Sequence, residues 1–150
     1  MTQTSIKKRV YISTTLPASQ TLAGYTALTW TKIGGIVTVG QLGFNHATIE
    51  APDLETGITK TLKGARSGTG AQIAFREITA DAGQTAVNAA NEGELEVAIQ
   101  VVDPDGTTSD YWTGVIHSLL DNEASVTSYE GRTFTFVPNY ARVRGASDVA

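Results

Sequence analysis

Residues 94–102 read ELEVAIQVV. Leu95, Val97, Ile99 and Val101 alternate with Glu94, Glu96 and Gln100, the period of two that turns one face of a strand to a core and the other away from it. Downstream, PDGTTSD at 104–110 has the chemistry of a hairpin connection. Tyr111 to Leu120 and then Ala124 to Val137 supply further strands, with Thr133, Thr135 and Val137 alternating against Phe134 and Phe136. Upstream, AQIAFREI at 71–78 sets Ile73 and Phe75 against Gln72, Ala74 and Arg76, a half-buried strand.

Between these strands, Asp81 opens the one good helix pattern, about 81–92. Its carboxylate can cap the first turn, Gln84 stands at the capping-box position, Ala82, Ala86, Val87, Ala89 and Ala90 make a narrow small-residue face, and Gly93 is the stop. Toward the N-terminus, residues 11–28 predict an extended segment with turns. Residues 29–40 predict a strand bent at Gly34-Gly35, and 42–50 (LGFNHATIE) another strand. PDLETG at 52–57 is a loop signal, 58–63 (ITKTLK) alternates weakly, and GARSGTG at 64–70 reads as a flexible basic loop. The expected fold is mainly β: two packed antiparallel sheets of six to eight strands in all, sandwich or barrel-forming, with one helix packed on them. The expected organisation is an N-terminal arm at 1–9, a β domain at 10–141 and a C-terminal arm at 142–150.

The chain of 150 residues, 41% hydrophobic and 17% charged, suits one domain with a sizeable core and argues against global disorder. It has no cysteine, which excludes a disulfide framework, a thiol nucleophile and cysteine-bearing zinc sites. Met1 to Val10 lacks an apolar core after its basic triplet, so no signal peptide is expected. No apolar run approaches the ~20 residues of a membrane-spanning helix. The net charge of −4 is unevenly spread. Lys7, Lys8 and Arg9 give the first nine residues +3, Arg142 and Arg144 with Asp148 leave the last nine at +1, and the body between them carries −8. The basic ends read either as solvated tails or as arms that dock on acidic surfaces of neighbouring copies.

Catalytic and ligand-binding constellations do not emerge. His46 and His117 stand alone, and Ser118 beside His117 points to the opposite face of a strand. GARSGTG lacks the Lys-Ser/Thr ending of a phosphate loop. Asp103, Asp105 and Asp110 faintly suggest a calcium loop, but the glutamate that ends such a loop is missing and a Pro-Asp-Gly turn accounts for the same residues. An acidic body disfavours nucleic-acid binding by a surface patch. No metal and no cofactor is implied.

The run LPASQTLAGYTALTWTKIGGI at 16–36 resembles the opening of the tail tube proteins, or major tail proteins, of bacteriophages with long non-contractile tails. The resemblance continues through IEAPDLETGITKTLKGARSGTG, AQIAFRE, DAGQTAVNAAN and the C-terminal YWTGVIHSLLDNEASVTSYEGRTFTFVPN, covering about residues 10 to 140. It rests on order and spacing, since each motif is short. It implies a fold similar to the tube protein of type VI secretion systems: two packed sheets and a helix per subunit, six subunits per ring, and rings stacked into a tube for DNA ejection. A further C-terminal immunoglobulin-like domain, carried by some members, is not expected. An inter-ring loop is expected among Pro52, Asp53, Leu54, Glu55, Thr56 and Gly57 and among Gly64, Ala65, Arg66, Ser67 and Gly68. Arm contacts are expected at Lys7, Lys8, Arg9, Arg142 and Arg144. Glu94 and Glu96 are expected to face the channel, where acidic walls keep passing DNA from adhering. The implied partners are further copies of the chain, other tail proteins such as a tape measure and a tail terminator, and DNA that passes without specific binding. The implied location is the virion tail, after synthesis in the bacterial cytoplasm. The alternative is a non-enzymatic β-sandwich recognition or decoration module of a virion or cell surface.

Overall fold

The computed structural model describes residues 7–93 and 96–147. The chain is mainly β, with strands β1 (Arg9–Ser13), β2 (Thr31–Ile33), β3 (Ile36–Val39), β4 (Gly43–Pro52), β5 (Thr59–Thr69), β6 (Ala71–Arg76), β7 (Val97–Val102), β8 (Thr108–Asp121), β9 (Gly131–Pro138) and β10 (Val143–Ala146). Two helices, α1 (Leu22–Thr26) and α2 (Ala82–Glu92), complete it. Both sheets are antiparallel. One has eight strands in the order β2-β1-β7-β8-β9-β6-β3, with β10 also on β8, and the other is the β4-β5 pair alone.

The order contains its own constraint. β2 and β3 lie at opposite ends of the large sheet, yet only Gly34 and Gly35 separate them in sequence. The sheet must therefore curl until its ends nearly meet. Gly35 turns this corner at φ 71°, a conformation that suits glycine. The long strand β8 makes the opposite corner. Its first half pairs with β7 (Val102↔Ser109 to Val97↔Gly114) and β10 (Val143↔Tyr111), and its second half with β9 (Gly114↔Pro138 to Asp121↔Arg132). A register shift lies between His117 and Leu120, where Ser118 has φ 56°. Two half-sheets sharing β8 thus face each other, but among the described residues no hydrogen bonds join β2 to β3, so the barrel is not closed.

The core fills the space between the half-sheets. Val10 and Ile12 of β1 and Val97, Ile99 and Val101 of β7 meet Ile73 and Phe75 of β6, Phe134 and Phe136 of β9, and Trp112 of β8. Val87 and Ala90 bring α2 onto this cluster, as the narrow apolar face of the helix predicts. A second cluster covers the outer face of β7 and β8: Tyr25, Ala98 and Tyr111, with Leu22, Leu28, Trp30 and Val143 packed against them. Tyr25 and Tyr111 stack with ring centroids 5.3 Å apart. Every residue of β7 is consequently buried. Gln100, expected on a polar face, lies wholly inside, with Nε2 2.9 Å from Ser109 Oγ and 3.2 Å from the Tyr111 hydroxyl.

The described residues form ten strands where six to eight were expected, and further expectations need correction. The 11–28 segment is not extended throughout, because Thr21 caps α1, accepting from Gly24 N–H at 3.4 Å, and the helix turns Tyr25 into the second cluster. The strand expected from Ala124 begins at Gly131, and the residues between Asp121 and Gly131 form a loop held by Ser125 and Ser128. GARSGTG is not a loop, as shown below. At α2, Asp81 caps as expected, its Oδ2 accepting from Gln84 N–H at 3.0 Å. The same Oδ2 accepts from Gly34 N–H at 3.1 Å. Gln84 does not reach back to the Asp81 backbone. Its Nε2 donates to the carbonyls of Gly34 and Arg76 at 2.8 Å each, and its Oε1 accepts from Ile78 N–H at 3.0 Å. The first turn of α2 therefore pins the corner where the two ends of the sheet meet.

Because Asp81 serves both the helix end and the glycine corner, Asp81→Ala is expected to lower the unfolding free energy by about 1–2 kcal/mol, the upper range for a lost cap. Asp81→Asn, which keeps an acceptor, is expected to lose less. Urea denaturation of both variants checks the ranking.

Candidate functional site

Among the described residues, the outer part of the β4-β5 ribbon is not covered by the body. The strands pair from Gly43↔Thr69 to Pro52↔Thr59, and Gly64, Ala65, Arg66, Ser67 and Gly68 all lie on β5. The composition of 64–70 suggested a flexible loop; cross-strand pairing with β4 overrides it. A register shift between His46 and Thr48 adds one residue to β5. The tip is a compact turn. Asp53 Oδ1 accepts from the N–H of Glu55 at 2.9 Å and of Thr56 at 3.4 Å, Gly57 N–H donates to Asp53 O at 2.9 Å, and Gly57 has φ 70°.

The ribbon has two unlike faces. Ile49 pairs with Leu62 and Ala51 with Lys60 on one, and His46 with Arg66, Thr48 with Lys63 and Glu50 with Thr61 on the other. All residues from 45 to 52 and from 54 to 63 are exposed. They include Ile49 at 54%, Leu62 at 52%, Ile58 at 63% and Leu54 at full exposure, an apolar stripe that a soluble monomer gains nothing by showing. A lone two-stranded ribbon is also marginally stable in water.

Among the described residues, the body fastens the ribbon at its base. Phe44 lies 6.4 Å from Trp112, centroid to centroid, with Arg66 over Phe44 at 4.6 Å and Arg142 over Trp112 at 6.0 Å. At Gly68 a Cβ would collide with the Pro138 carbonyl oxygen, so the ribbon meets the end of β9 through a residue that must be glycine.

The other singled-out residues separate. Lys7 and Lys8 precede β1, and Arg9 is its first residue. Arg144 lies on β10, against β8, and its guanidinium spans Asp103 at 2.6 Å and Asp110 at 2.8 Å. Arg142 Nη1 is 4.0 Å from Asp110. These two carboxylates hold the Arg144 pKa above its ordinary value, Asp110 more than Asp103. The C-terminal bases thus engage acids of their own chain, and 143–146 is a strand of the sheet. Arg144 sits on two of the three residues weighed as calcium ligands. The third, Asp105, closes the turn instead, and the Thr107 and Thr108 N–H groups hold its pKa below the usual carboxylate value. Glu94 lies outside the described residues. Glu96 is half-buried, and its Oε2 has no hydrogen-bond partner among the described residues. His46 is exposed on the ribbon; Ser118, expected on the face opposite His117, instead has its Oγ 2.7 Å from His117 Nδ1, because the chain leaves regular strand geometry there at φ 56°.

With this architecture the chain resembles solved tubes. No protein-family model and no curated protein sequence matches it. Among solved structures it is similar to the SPP1 tail tube determined by solid-state NMR and cryo-EM, with TM-score 0.65, 14% identity, and coverage of 93% of this chain and 77% of that one. The chain has the tail tube fold. The tail of an empty gene transfer agent particle, refined with C6 symmetry, matches with TM-score 0.59 and 20% identity over 89% of this chain and 92% of its own. The sheath/tube terminator of an extracellular contractile injection system matches with TM-score 0.64 and 14% identity over 97% and 98%. The fold is therefore shared by tail tubes and by a component of a contractile injection system, and fold alone does not assign this chain to one or the other.

What the sequence did not disclose is the acidic concavity at the far end of β9. Glu77, Asp121, Glu123 and Glu130 converge there around Asn122 and Tyr129, and Arg132 pairs with Asp121 at 2.8 Å. The polar stretch NEASVTSYEG was the available signal, but it resembles any surface loop.

Two outcomes follow from the geometry. Gly68→Val should detach the ribbon base while the body stays folded, seen as faster proteolytic cleavage within 43–69 at nearly unchanged melting temperature. Chelator should leave melting temperature unchanged, because a guanidinium already neutralises Asp103 and Asp110; a marked loss of stability would restore the metal site.

Proposed function

We propose that this chain is a structural subunit of a tail tube, assembling with its own copies into stacked rings that form a conduit for DNA. The exposed ribbon with its apolar stripe, on a tail tube fold, is the observation that carries the reading. A hydrophobic ribbon that touches its own body only at the base gains burial when it lies on another subunit. Edge strands support the same conclusion: β3, with Val37 half exposed, ends the large sheet and offers unpaired backbone groups to a neighbour.

In this reading the rings are hexameric, as the resemblance implies, and the tip residues Pro52 to Gly57 lie in the ring-to-ring junction. Lys7, Lys8 and Arg9 offset the mutual repulsion of bodies carrying −8, and acids such as Glu94 and Glu96 line the channel. The tube is a virion component capped and measured by other tail proteins, and the role is non-enzymatic.

Sedimentation and negative-stain microscopy across protein concentration test the proposal. The expected result is monomer when dilute and rings or tubes when concentrated, whereas a species that stays monomeric or dimeric at every concentration favours a recognition module. Deleting Asp53–Thr56 is expected to leave monomer melting nearly unchanged and to block tube growth; normal tubes would reduce the tip to a connector. Changing Lys7, Lys8 and Arg9 together to Glu is expected to weaken assembly most at low salt, where screening is least.

A further inference from the structure

Resting on the tube reading, we infer that Asn91 of α2 is a removable cover on the strand edge that receives β3 of a neighbouring copy. Gly114 marks where that edge begins. It faces Val97 of β7 on one side and Pro138 of β9 on the other, so β7 and β9 flank β8 on opposite edges. Past Gly114 the pairing with β9 runs on to Asp121↔Arg132, whereas β7 extends no further than Val97. Asn122 N–H donates to Gly131 O, so alternation turns Leu120 toward β9 as well and turns the backbone groups of Leu119 and Asp121 away from it. On that outward side the Leu119 N–H donates to Asn91 Oδ1 at 3.2 Å. A side chain of the helix thus stands where a strand could lie.

The occupant follows from strand direction. β8, β9, β6 and β3 are antiparallel in turn, so β3 runs opposite to β8, and among the described residues β3 has no strand on its outer side. A copy placed alongside by rotation about a ring axis therefore brings its β3 antiparallel against the Leu119 edge and continues the ladder. Val37, 52% exposed on β3, and Leu120, 65% exposed on β8, put apolar side chains on both edges. Removability follows from position on the helix. Asp81 and Gln84 fix the first turn of α2 at Gly34, and Val87 and Ala90 fix its inner face in the core. Asn91 is half-buried beside exposed Glu92 and Gly93, and turning its side chain away disturbs neither anchor. An incoming strand then supplies a carbonyl in place of the amide oxygen, so the Leu119 N–H is satisfied before and after docking. Until a neighbour arrives, the cover protects the monomer from indiscriminate edge pairing.

Sedimentation and amide hydrogen exchange of the full-length protein test the cover. N91A removes the acceptor and should lower the concentration at which rings or tubes form by about fivefold, the factor that one net hydrogen bond is worth. N91D keeps an acceptor and should stay within about twofold of wild type. V37K places a charge on the β3 edge, should raise the threshold, and should cancel the N91A gain when the two are combined. Melting of each monomer checks folding. The exchange arm needs no variant: the Leu119 amide should exchange measurably in dilute wild-type monomer and become strongly protected in tubes, and in N91A monomer it should exchange about fivefold faster than in wild type. A folded N91A whose threshold equals or exceeds that of wild type, a gain that survives V37K, or a Leu119 amide no slower in tubes than in monomer would overturn the cover while leaving tube assembly in place. A wild-type protein that never assembles would remove the tube proposal and the cover with it.

Discussion

Two glycines hold the two ends of an eight-stranded sheet together. Since β2 and β3 flank Gly34-Gly35 in sequence but stand at opposite ends of the strand order, the sheet has no flat solution. It must curl, and curling brings the apolar faces of β1 and β7 onto those of β6 and β9. β8 follows from the same constraint: a strand that belongs to both half-sheets has to be long and has to bend, and it spends an irregular register at 117–120 to do so. Asp81 and Gln84 then occupy the backbone groups that the corner leaves open, which places α2 across the seam rather than elsewhere on the body. Helix, corner and core thus depend on one another, and the cost of an unpaired buried amide explains why polar side chains sit at this joint.

A body closed in this way has little use for β4 and β5. They leave the curled sheet after β3, return before β6, and pair only with each other. The fastening at Phe44, Trp112 and Gly68 sets where the ribbon departs but buries none of its outer half. Assembly by such a chain needs no folded-state rearrangement to create a sticky surface, because topology has already put one outside. The ion pairs of Arg144 work in the opposite sense. They hold β10 on β8 and cover an edge that would otherwise be open. Exposed pairs of this type are worth only about 0–1 kcal/mol each, so the backbone ladder and the Val143 contact with the second cluster hold the strand at least as firmly.

Much of the fold was legible because single strands and caps are local. The patterns at 71–78 and 94–102, the cap at Asp81 and the turn at Pro104-Asp105-Gly106 all depend on neighbours within a few residues; strands stand at Ala71–Arg76 and Val97–Val102 within those patterns, and the cap and the turn where they were expected. Failures came where distant segments decide. GARSGTG is flexible by composition, yet β4 lies beside it and supplies a hydrogen-bonding partner. Gln100 is polar and is expected to face outward, yet α1 and β10 cover that face, and Ser109 and Tyr111 accept from its Nε2. Arg142 and Arg144 look like a basic tail until β8 brings Asp110 beside them and the adjoining turn brings Asp103.

By itself the sequence determined that this would be a β protein with one substantial helix, that Gly34-Gly35 would bend the chain, and that 52–57 would form a turn, because periodicity, capping and turn chemistry act over short separations. It also determined a body carrying −8 between basic ends. Tertiary structure alone decided that two strands would stand apart as a ribbon, and that four acids separated by as many as 53 positions, from Glu77 to Glu130, would share one concavity. The physical reason is that strand pairing is non-local. Which segments meet depends on how the whole sheet satisfies its backbone and buries its apolar faces at once, and no window of the chain contains that balance.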